Sequence, residues 1–484
     1  MSSVFAVTTS LPRWLRRGAG LVDSLLDRGG CPEDTVSSEP DGGAPLAREV
    51  WRLAWPAITH MLLVTLMFLV SRVMVGRYSA TALASLQVSG TLVWSTYSIF
   101  TAFSAGTLAV VARSIGAGDR AAAAQASLSS LLFAALLGVL VTVPIWLANG
   151  SLLRALFPQA SAEVLADAGA YLHIVLPCLP LSFVEAIAAA TLQGAGNTRA
   201  PLYVATVGNV VNVVLSYLLI FGHFGFPELG VRGAAVGHAA TLSLEGLLLL
   251  GVLLSKKSPL PLRERSAGDV EALRRMLRIA WPAFGEKVLY QAGYVGFTAV
   301  IGLLGTEAMA ANQALLAVEA IGFLSAEGFG VAAAAVLAQK LGAQRADEAT
   351  RVGWLAAGMS VALATLIGLG FVVAPRLLMK GFSTDPAIID IGAKSLYVGA
   401  FAQPFMAYAM VKGMALRGAG ATRTVLLSTF VGALVVRLAA SYLLAITFGL
   451  GLVGVWLGST LDWMVRSMVL GTAYARGRWR TARV

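Results

Sequence analysis

The chain carries a long series of apolar runs, each of about twenty residues, and no other feature limits its fold as strongly. A helix needs about twenty apolar residues to cross the hydrocarbon core of a bilayer. The whole chain is 57% hydrophobic and only 13% charged. A water-soluble chain of 484 residues has no core large enough to hide this much apolar surface. The sequence therefore predicts an all-α integral membrane protein.

The apolar runs predict twelve transmembrane helices. They are placed at 51–76, 86–112, 124–147, 168–192, 201–222, 232–254, 279–304, 308–337, 352–374, 394–416, 424–448 and 452–474. The sequence also predicts a division of the chain into five regions. These are a tail that is interfacial and then disordered (1–49), an N-lobe of spans 1 to 6 (50–255), a linker (256–277), a C-lobe of spans 7 to 12 (278–475) and a basic tail (476–484).

The distribution of basic residues predicts the orientation. Most of the 36 Lys and Arg residues lie in the two tails, the even-numbered loops and the linker. Positive loops stay on the cytoplasmic side, so we expect both termini and the linker to be cytoplasmic, in a bacterial-type inner membrane. Because topology accounts for the net charge of +11, no nucleic-acid partner is predicted.

The two halves of the chain repeat each other in order. Arg52-Leu53-Ala54-Trp55-Pro56 returns 226 residues later as Arg278-Ile279-Ala280-Trp281-Pro282, and LQGAGNTR at 192–199 returns as LRGAGATR at 416–423. Each half holds six predicted spans, an even number, so both halves enter the membrane from the same side. This predicts two six-helix lobes related by a pseudo-two-fold axis along the membrane normal, with a cavity between them.

Several other classes of protein are disfavoured. The chain has no phosphate-binding loop of the Gly-x-x-x-x-Gly-Lys-Ser/Thr type, no zinc signature and no pore-loop segment. Its two cysteines, Cys31 and Cys178, fit neither a disulfide framework nor a metal site. We therefore expect a protein that is not an enzyme and has no cofactor or metal centre.

Ionisable residues inside spans are costly and mark candidate ion-coupling sites. Five are singled out: Glu286, Glu319, Glu327, Glu185 and His60. Clustered carboxylates in a cavity can take up and release a proton, and with neutral oxygens they can instead bind sodium. Gln313, Glu319 and Glu327 share span 8 at spacings that place them on one broad cavity wall. Further candidates for the cavity or the substrate site are Gln313, Tyr290, Asn209, Asn212, Gln87 and Tyr97.

Structural roles compete with these functional interpretations. Glu286 is expected either to couple ions or to have a structural role, paired with Lys287 or lying at the cytoplasmic interface. For Glu185 the alternative is an inter-helix hydrogen bond or salt bridge, and for His60 it is packing on an apolar helix. Asp462 and Arg466 lie one turn apart and predict a structural ion pair, with Arg437 of the neighbouring span as a second partner for Asp462.

The ordered motifs resemble those of the multidrug and toxic compound extrusion (MATE) family. They include AGDR at 117–120, LQGAGNTR at 192–199, GNVVN at 208–212, PELGVRGAA at 227–235 and GTEAMAANQ at 305–313. The resemblance covers residues 50–475 and implies a V-shaped pair of six-helix lobes. It also implies export of organic cations and other amphiphiles in exchange for sodium ions or protons.

The resemblance also shows where this chain departs from its relatives. Many members carry coupling aspartates near the end of span 1 and in span 5, where this chain has Ser71 and Ser216. Asn212 is retained, and a glutamate found in span 7 of some members corresponds roughly to Tyr290. These departures direct attention to the acids of the C-lobe.

Together these observations predict a secondary active efflux transporter for small amphiphilic or cationic compounds. The expected coupling ion is H⁺ or Na⁺, and the expected mechanism is alternating access by a monomer surrounded by membrane lipids. The alternative is a flippase for lipid-linked precursors or oligosaccharides, from the same broader superfamily.

Overall fold

The computed structural model describes residues 43–255, 258, 260, 262 and 269–482, and in these residues the fold is helical with no strand. The interfacial helix predicted near the N-terminus lies outside the described residues.

The helices follow the order of the predicted spans. In the first half they are α1 (Gly43–Tyr78), α2 (Ala80–Phe100), α3 (Ala102–Gly116), α4 (Arg120–Leu156), α5 (Ala162–Val175), α6 (Leu179–Gly194), α7 (Arg199–Phe221) and α8 (Val231–Leu254). In the second half they are α9 (Val270–Gly302), α10 (Thr306–Gly342), α11 (Ala346–Val373), α12 (Pro375–Lys380), α13 (Pro386–Gly418), α14 (Thr422–Thr429), α15 (Arg437–Tyr442) and α16 (Gly451–Ala475).

Several predicted helix ends differ from the structure. Helix α1 begins at Gly43, inside the predicted tail, and α9 begins at Val270, inside the predicted linker. The side chain of Asp269 caps α9 by accepting a hydrogen bond from the backbone amide of Ala272 over 3.2 Å. Beyond α16, residues Arg478–Thr481 form a 3₁₀ turn. Hydropathy marks only the apolar part of a helix, so polar turns that continue it are missed.

Nine stretches of the described chain are both helical and apolar enough to cross a membrane. The helices α9, α13 and α16 do not meet this criterion, because charged residues in them lower the mean hydropathy. The chain is thus a multi-pass membrane protein, while the number of twelve spans remains a prediction.

Equivalent helices in the two halves end in the same turn. The chain leaves α6 through Gly196 and leaves α13 through Gly420, with φ of +87° and +85°. Glycine adopts this left-handed conformation without strain, unlike residues with a Cβ. In both turns the next amide donates to the carbonyl five residues before it, over 2.8 Å. The sequence repeat is therefore also a repeat of backbone geometry.

The N-terminal segments of α1 and α9 each pack into the core of the opposite lobe. Val50 and Ala54 of α1 lie in the apolar core built mainly from α10, α11, α13 and α16. Met276 and Ala280 of α9 lie in the core of the first lobe. Since these residues are equivalent under the 226-residue repeat, each lobe is anchored reciprocally in the other.

The lobes meet closely where α3 and α10 end, and we call these two helix ends the interlobe seam. A Cβ added to Gly116 would overlap the backbone carbonyl of Gln339, and one added to Gly342 would overlap that of Arg113. The side-chain amide of Gln339 also donates to the carbonyl of Gly194 over 2.7 Å. Glycine at both positions thus allows direct backbone contact between the lobes.

Both ends of the described chain lie at the interlobe seam. Lys340 Nζ is 3.3 Å from a carboxylate oxygen of Glu49 in α1. Arg113 of the first lobe donates to the carbonyl of Ala482 over 2.8 Å. The C-terminal segment therefore crosses from the second lobe to the first.

Candidate coupling site

Glu319 lies in the middle of α10, beside a cavity of about 50 Å³ in the second lobe. The cavity is lined mainly by aromatic rings. Its other lining residues are Tyr290, Tyr294, Phe297, Leu316, Phe323, Arg437, Trp456, Ser459 and Trp463. Among the described side chains, none forms a hydrogen bond or ion pair with the Glu319 carboxylate. A space of this size can hold a few waters or a small ion.

Asp462 joins two arginines next to this cavity. Arg466, one turn along α16, donates to both Asp462 oxygens over 2.7 and 2.6 Å. Arg437 approaches the same carboxylate from α15 at 2.7 Å. The Asp462 side chain is fully buried. Both pairs proposed from the sequence are thus present, and they form a single triad.

The triad leaves one positive charge facing the cavity. Asp462 compensates one arginine, and Arg437 interacts electrostatically with Glu319. With Glu319 ionised, the four groups are neutral overall. When Glu319 takes up a proton or binds a cation, the site gains a net positive charge, and this is the kind of change that can bias a conformational equilibrium.

Aromatic rings stabilise the two arginines. Arg466 lies 3.8 Å from the ring centroid of Trp463, and Arg437 lies 5.5 Å from that of Phe297. A guanidinium over an aromatic face is attracted by the ring quadrupole. These contacts fix the positive wall of the cavity beside Glu319.

Glu286 has a fixed partner, and it is not the expected one. Its carboxylate accepts two hydrogen bonds from Arg417, over 3.0 and 2.6 Å, and a third from Thr429 over 3.2 Å. Lys287, the neighbour considered from the sequence, contributes only at longer range. The bidentate geometry favours a structural role for Glu286.

Span 8 does not place all its polar candidates on one cavity wall. Gln313 is exposed, while its neighbour Asn312 is buried and accepts the indole N–H of Trp456 over 3.2 Å. Glu327 lies two turns beyond Glu319 and interacts electrostatically with Tyr97 of the first lobe and with Arg417. Glu319 therefore lines the cavity and Glu327 belongs to the region between the lobes, while the role expected of Gln313 stays a prediction.

The first lobe holds a second acidic group. The Tyr97 hydroxyl donates to a carboxylate oxygen of Glu185 over 3.3 Å. Glu245 of α8 packs against Gly208 of α7 and interacts electrostatically with Glu185. The structure thus places Glu245 beside the predicted candidates Tyr97 and Glu185. No sequence spacing indicates this proximity, because Glu185 and Glu245 lie in different spans.

The remaining candidates of the first lobe are separate. Asn212, the retained asparagine, accepts a hydrogen bond over 3.1 Å from Ser71, one of the two positions where relatives often carry an aspartate. Asn209 Oδ1 and His60 Nδ1 are buried and have no hydrogen-bond partner among the described residues. Gln87 is exposed. None of these four lies at the Glu319 cavity.

Comparison with known proteins agrees with this architecture. The MatE family profile matches residues 56–218 and again 282–443. The probable multidrug resistance protein NorM of Thermotoga maritima is 30% identical over 439 residues, covering 90% of this chain and 93% of the relative. The multidrug resistance protein MdtK of Pectobacterium atrosepticum is 27% identical, covering 88% and 94%.

Solved structures share the fold. The Vibrio cholerae MATE transporter VcmN in its bent form matches with a TM-score of 0.82 at 18% identity, covering 90% of this chain and 97% of that one. Two family matches in tandem, together with a 30% identical relative of nearly the same length, show that this chain belongs to the MatE family.

Proposed function

We propose that this chain is a secondary active efflux transporter that exports small amphiphilic or cationic compounds. The family membership and the relatives named as multidrug resistance proteins support export of small molecules and do not favour the flippase alternative. A catalytic activity and a cofactor form no part of the proposal. The working unit is a monomer in the inner membrane with both termini cytoplasmic.

One observation carries the proposal for coupling: Glu319 has no ion-pair partner among the described residues and lies beside an arginine held by Asp462. Ion binding at Glu319 changes the charge of the second lobe and shifts the balance between its conformations. In this proposal H⁺ or Na⁺ binds at Glu319 from outside. Release of this ion to the cytoplasm accompanies the return of the transporter, empty of substrate, to its inward-facing conformation.

Glu319→Gln is expected to reduce gradient-driven export of a cationic dye from proteoliposomes at least about tenfold, a loss of about 1.4 kcal/mol or more in coupling. The proton and sodium gradients are imposed independently, so that the ion that drives dye movement through the unmodified protein is identified. Glu307→Gln is the matched control, because Glu307 is an exposed carboxylate at the start of the same helix.

The double variant Glu319→Gln with Glu327→Gln tests together the two candidate coupling acids of α10. If it transports dye as fast as the unmodified protein under either gradient, the assignment of coupling to this helix is wrong. If the single variant Glu327→Gln abolishes transport and the single variant Glu319→Gln does not, the coupling site lies between the lobes instead of at the cavity.

A further inference from the structure

Lys412 of α13 is a lysine with unusual surroundings. Its side chain is fully buried, although it lies only six residues before the helix ends at Gly418. A lysine this near a helix end normally extends its amine to the membrane surface. Here Nζ turns inward and has no hydrogen-bond partner in the part of the chain that the structure describes.

Three aromatic rings surround the Lys412 amine. Nζ lies 3.5 Å from the ring centroid of Trp354 in α11 and 3.6 Å from that of Tyr474 in α16. Tyr408, one turn earlier in α13, is 5.6 Å away. We call these three rings the aromatic cage. Ring faces at this distance bind an ammonium group well and a neutral amine poorly.

The balance between the charged and neutral forms of Lys412 therefore depends on the aromatic cage. Burial disfavours the ammonium, and the rings favour it. The titratable groups facing it are Tyr408 and Tyr474, with Arg480 beyond Tyr474. Glu348, on α11, is already held by Lys340 and Arg345 at 3.3 and 2.6 Å. Because no carboxylate of the described residues pairs with the amine, loss of one ring would favour release of its proton.

The cage is connected to the interlobe seam through Tyr474. The Tyr474 hydroxyl donates to the carbonyl of Ala349 over 3.1 Å, and its ring stacks on Trp479 at 4.7 Å. Trp479 also donates its indole N–H to the Tyr474 carbonyl over 2.8 Å. Three residues further on, Ala482 accepts the bond from Arg113 of the first lobe. Separation of the lobes at the seam would therefore pull on the segment that positions Tyr474.

We propose that Lys412 and its aromatic cage form a proton-binding site that is occupied while the interlobe seam is closed and empties when the seam opens. Because binding and conformation are linked, acidic conditions then favour the closed seam. This site is separate from Glu319, but the inference rests on the lobe movement of the proposed function.

The test measures conformation without transport. Spin labels on Arg120→Cys and Gln344→Cys, in a background with Cys31→Ser and Cys178→Ser, report the distance across the seam by double electron–electron resonance in lipid nanodiscs. In the otherwise unmodified protein, the short-distance population is expected to fall as the pH is raised. Lys412→Met, which keeps an unbranched apolar stem, loses this transition. Lys412→Arg, which cannot release its proton, keeps the short distance throughout.

Three further variants separate the possible causes. Glu319→Gln removes the proposed coupling acid, so a pH transition that remains in this variant is assigned to Lys412, and failure of coupling at Glu319 is distinguishable from failure at Lys412. Lys394→Met is the matched lysine control, because Lys394 lies in the same helix and is paired with Asp390 at 2.7 Å. Trp354→Leu retains the amine but removes one ring, and moves the transition to lower pH.

Two outcomes would overturn the proposal. One is a pH transition that is unchanged in both Lys412→Met and Trp354→Leu, with normal gel-filtration profiles. The other is a seam distance that does not respond to pH in the unmodified protein. If Lys412→Met does not fold, Lys412→Arg and Trp354→Leu decide the question.

Discussion

Buried ionisable residues in this protein differ in whether another side chain holds them. Asp462 and Glu286 accept two or more charge-assisted hydrogen bonds each, from arginines on neighbouring turns or helices. Glu319 and Lys412 have no such partner among the described residues. A paired charge in a low-dielectric interior stays charged and stabilises the fold, whereas an unpaired one can change its protonation as its surroundings move.

At this scale, Asp462→Asn is expected to destabilise the protein by about 3–5 kcal/mol, because it leaves two buried arginines without their carboxylate. Thermal unfolding of the detergent-solubilised protein measures the effect. The exposed Glu307→Gln serves as the control and should leave the unfolding temperature nearly unchanged. An equally small change for Asp462→Asn would show that the arginines find other partners.

Helix ends hold the two lobes together at the interlobe seam. The ends of α3 and α10 are equivalent under the repeat, and each contributes a glycine whose missing Cβ leaves room for the other's backbone. The N-terminal segments of α1 and α9 add the reciprocal anchors. A contact made largely of backbone and small residues can close tightly and still separate. The side chains of Gln339 and Arg113 each add a single hydrogen bond across it.

The seam predicts a specific effect of a single methyl group. Gly342→Ala places a Cβ on the carbonyl of Arg113 and is expected to cost about 1–3 kcal/mol in the closed conformation. The spin-label distance across the seam should lengthen. Gly150→Ala is the control, since Gly150 lies in α4 with open space around it and alanine there favours the helix by up to about 1 kcal/mol.

An unchanged seam distance in Gly342→Ala, with Gly150→Ala behaving as expected, would mean that the helix ends adjust without opening. The lobes would then be held together chiefly by the N-terminal segments of α1 and α9, which carry the reciprocal anchors.

For the whole molecule, the orientation in the membrane follows from where the basic residues lie. The seam and both described chain ends share one end of the structure. From the positive-inside rule we propose that this end is cytoplasmic. In that orientation the closed seam shuts the cytoplasmic path between the lobes.

Labelling of intact cells with a membrane-impermeant maleimide tests the orientation. With Cys31 and Cys178 replaced by serine, Phe224→Cys should react, because Phe224 is 89% exposed in the loop after α7. Arg120→Cys, at the start of α4, should react only after the cells are opened. The reverse pattern would place the seam and the chain ends outside.

The sequence alone determined the membrane class, the order of the helices and the tandem repeat, because these depend on local hydropathy and on motifs read along the chain. Even the pairing of Asp462 with Arg466 was accessible, since residues four apart on a helix must be neighbours. The partners Arg417 for Glu286, Glu245 for Glu185 and the rings around Lys412 were decided only by tertiary structure. Each joins spans far apart in the chain, and no periodicity within one helix specifies which face of another it will meet.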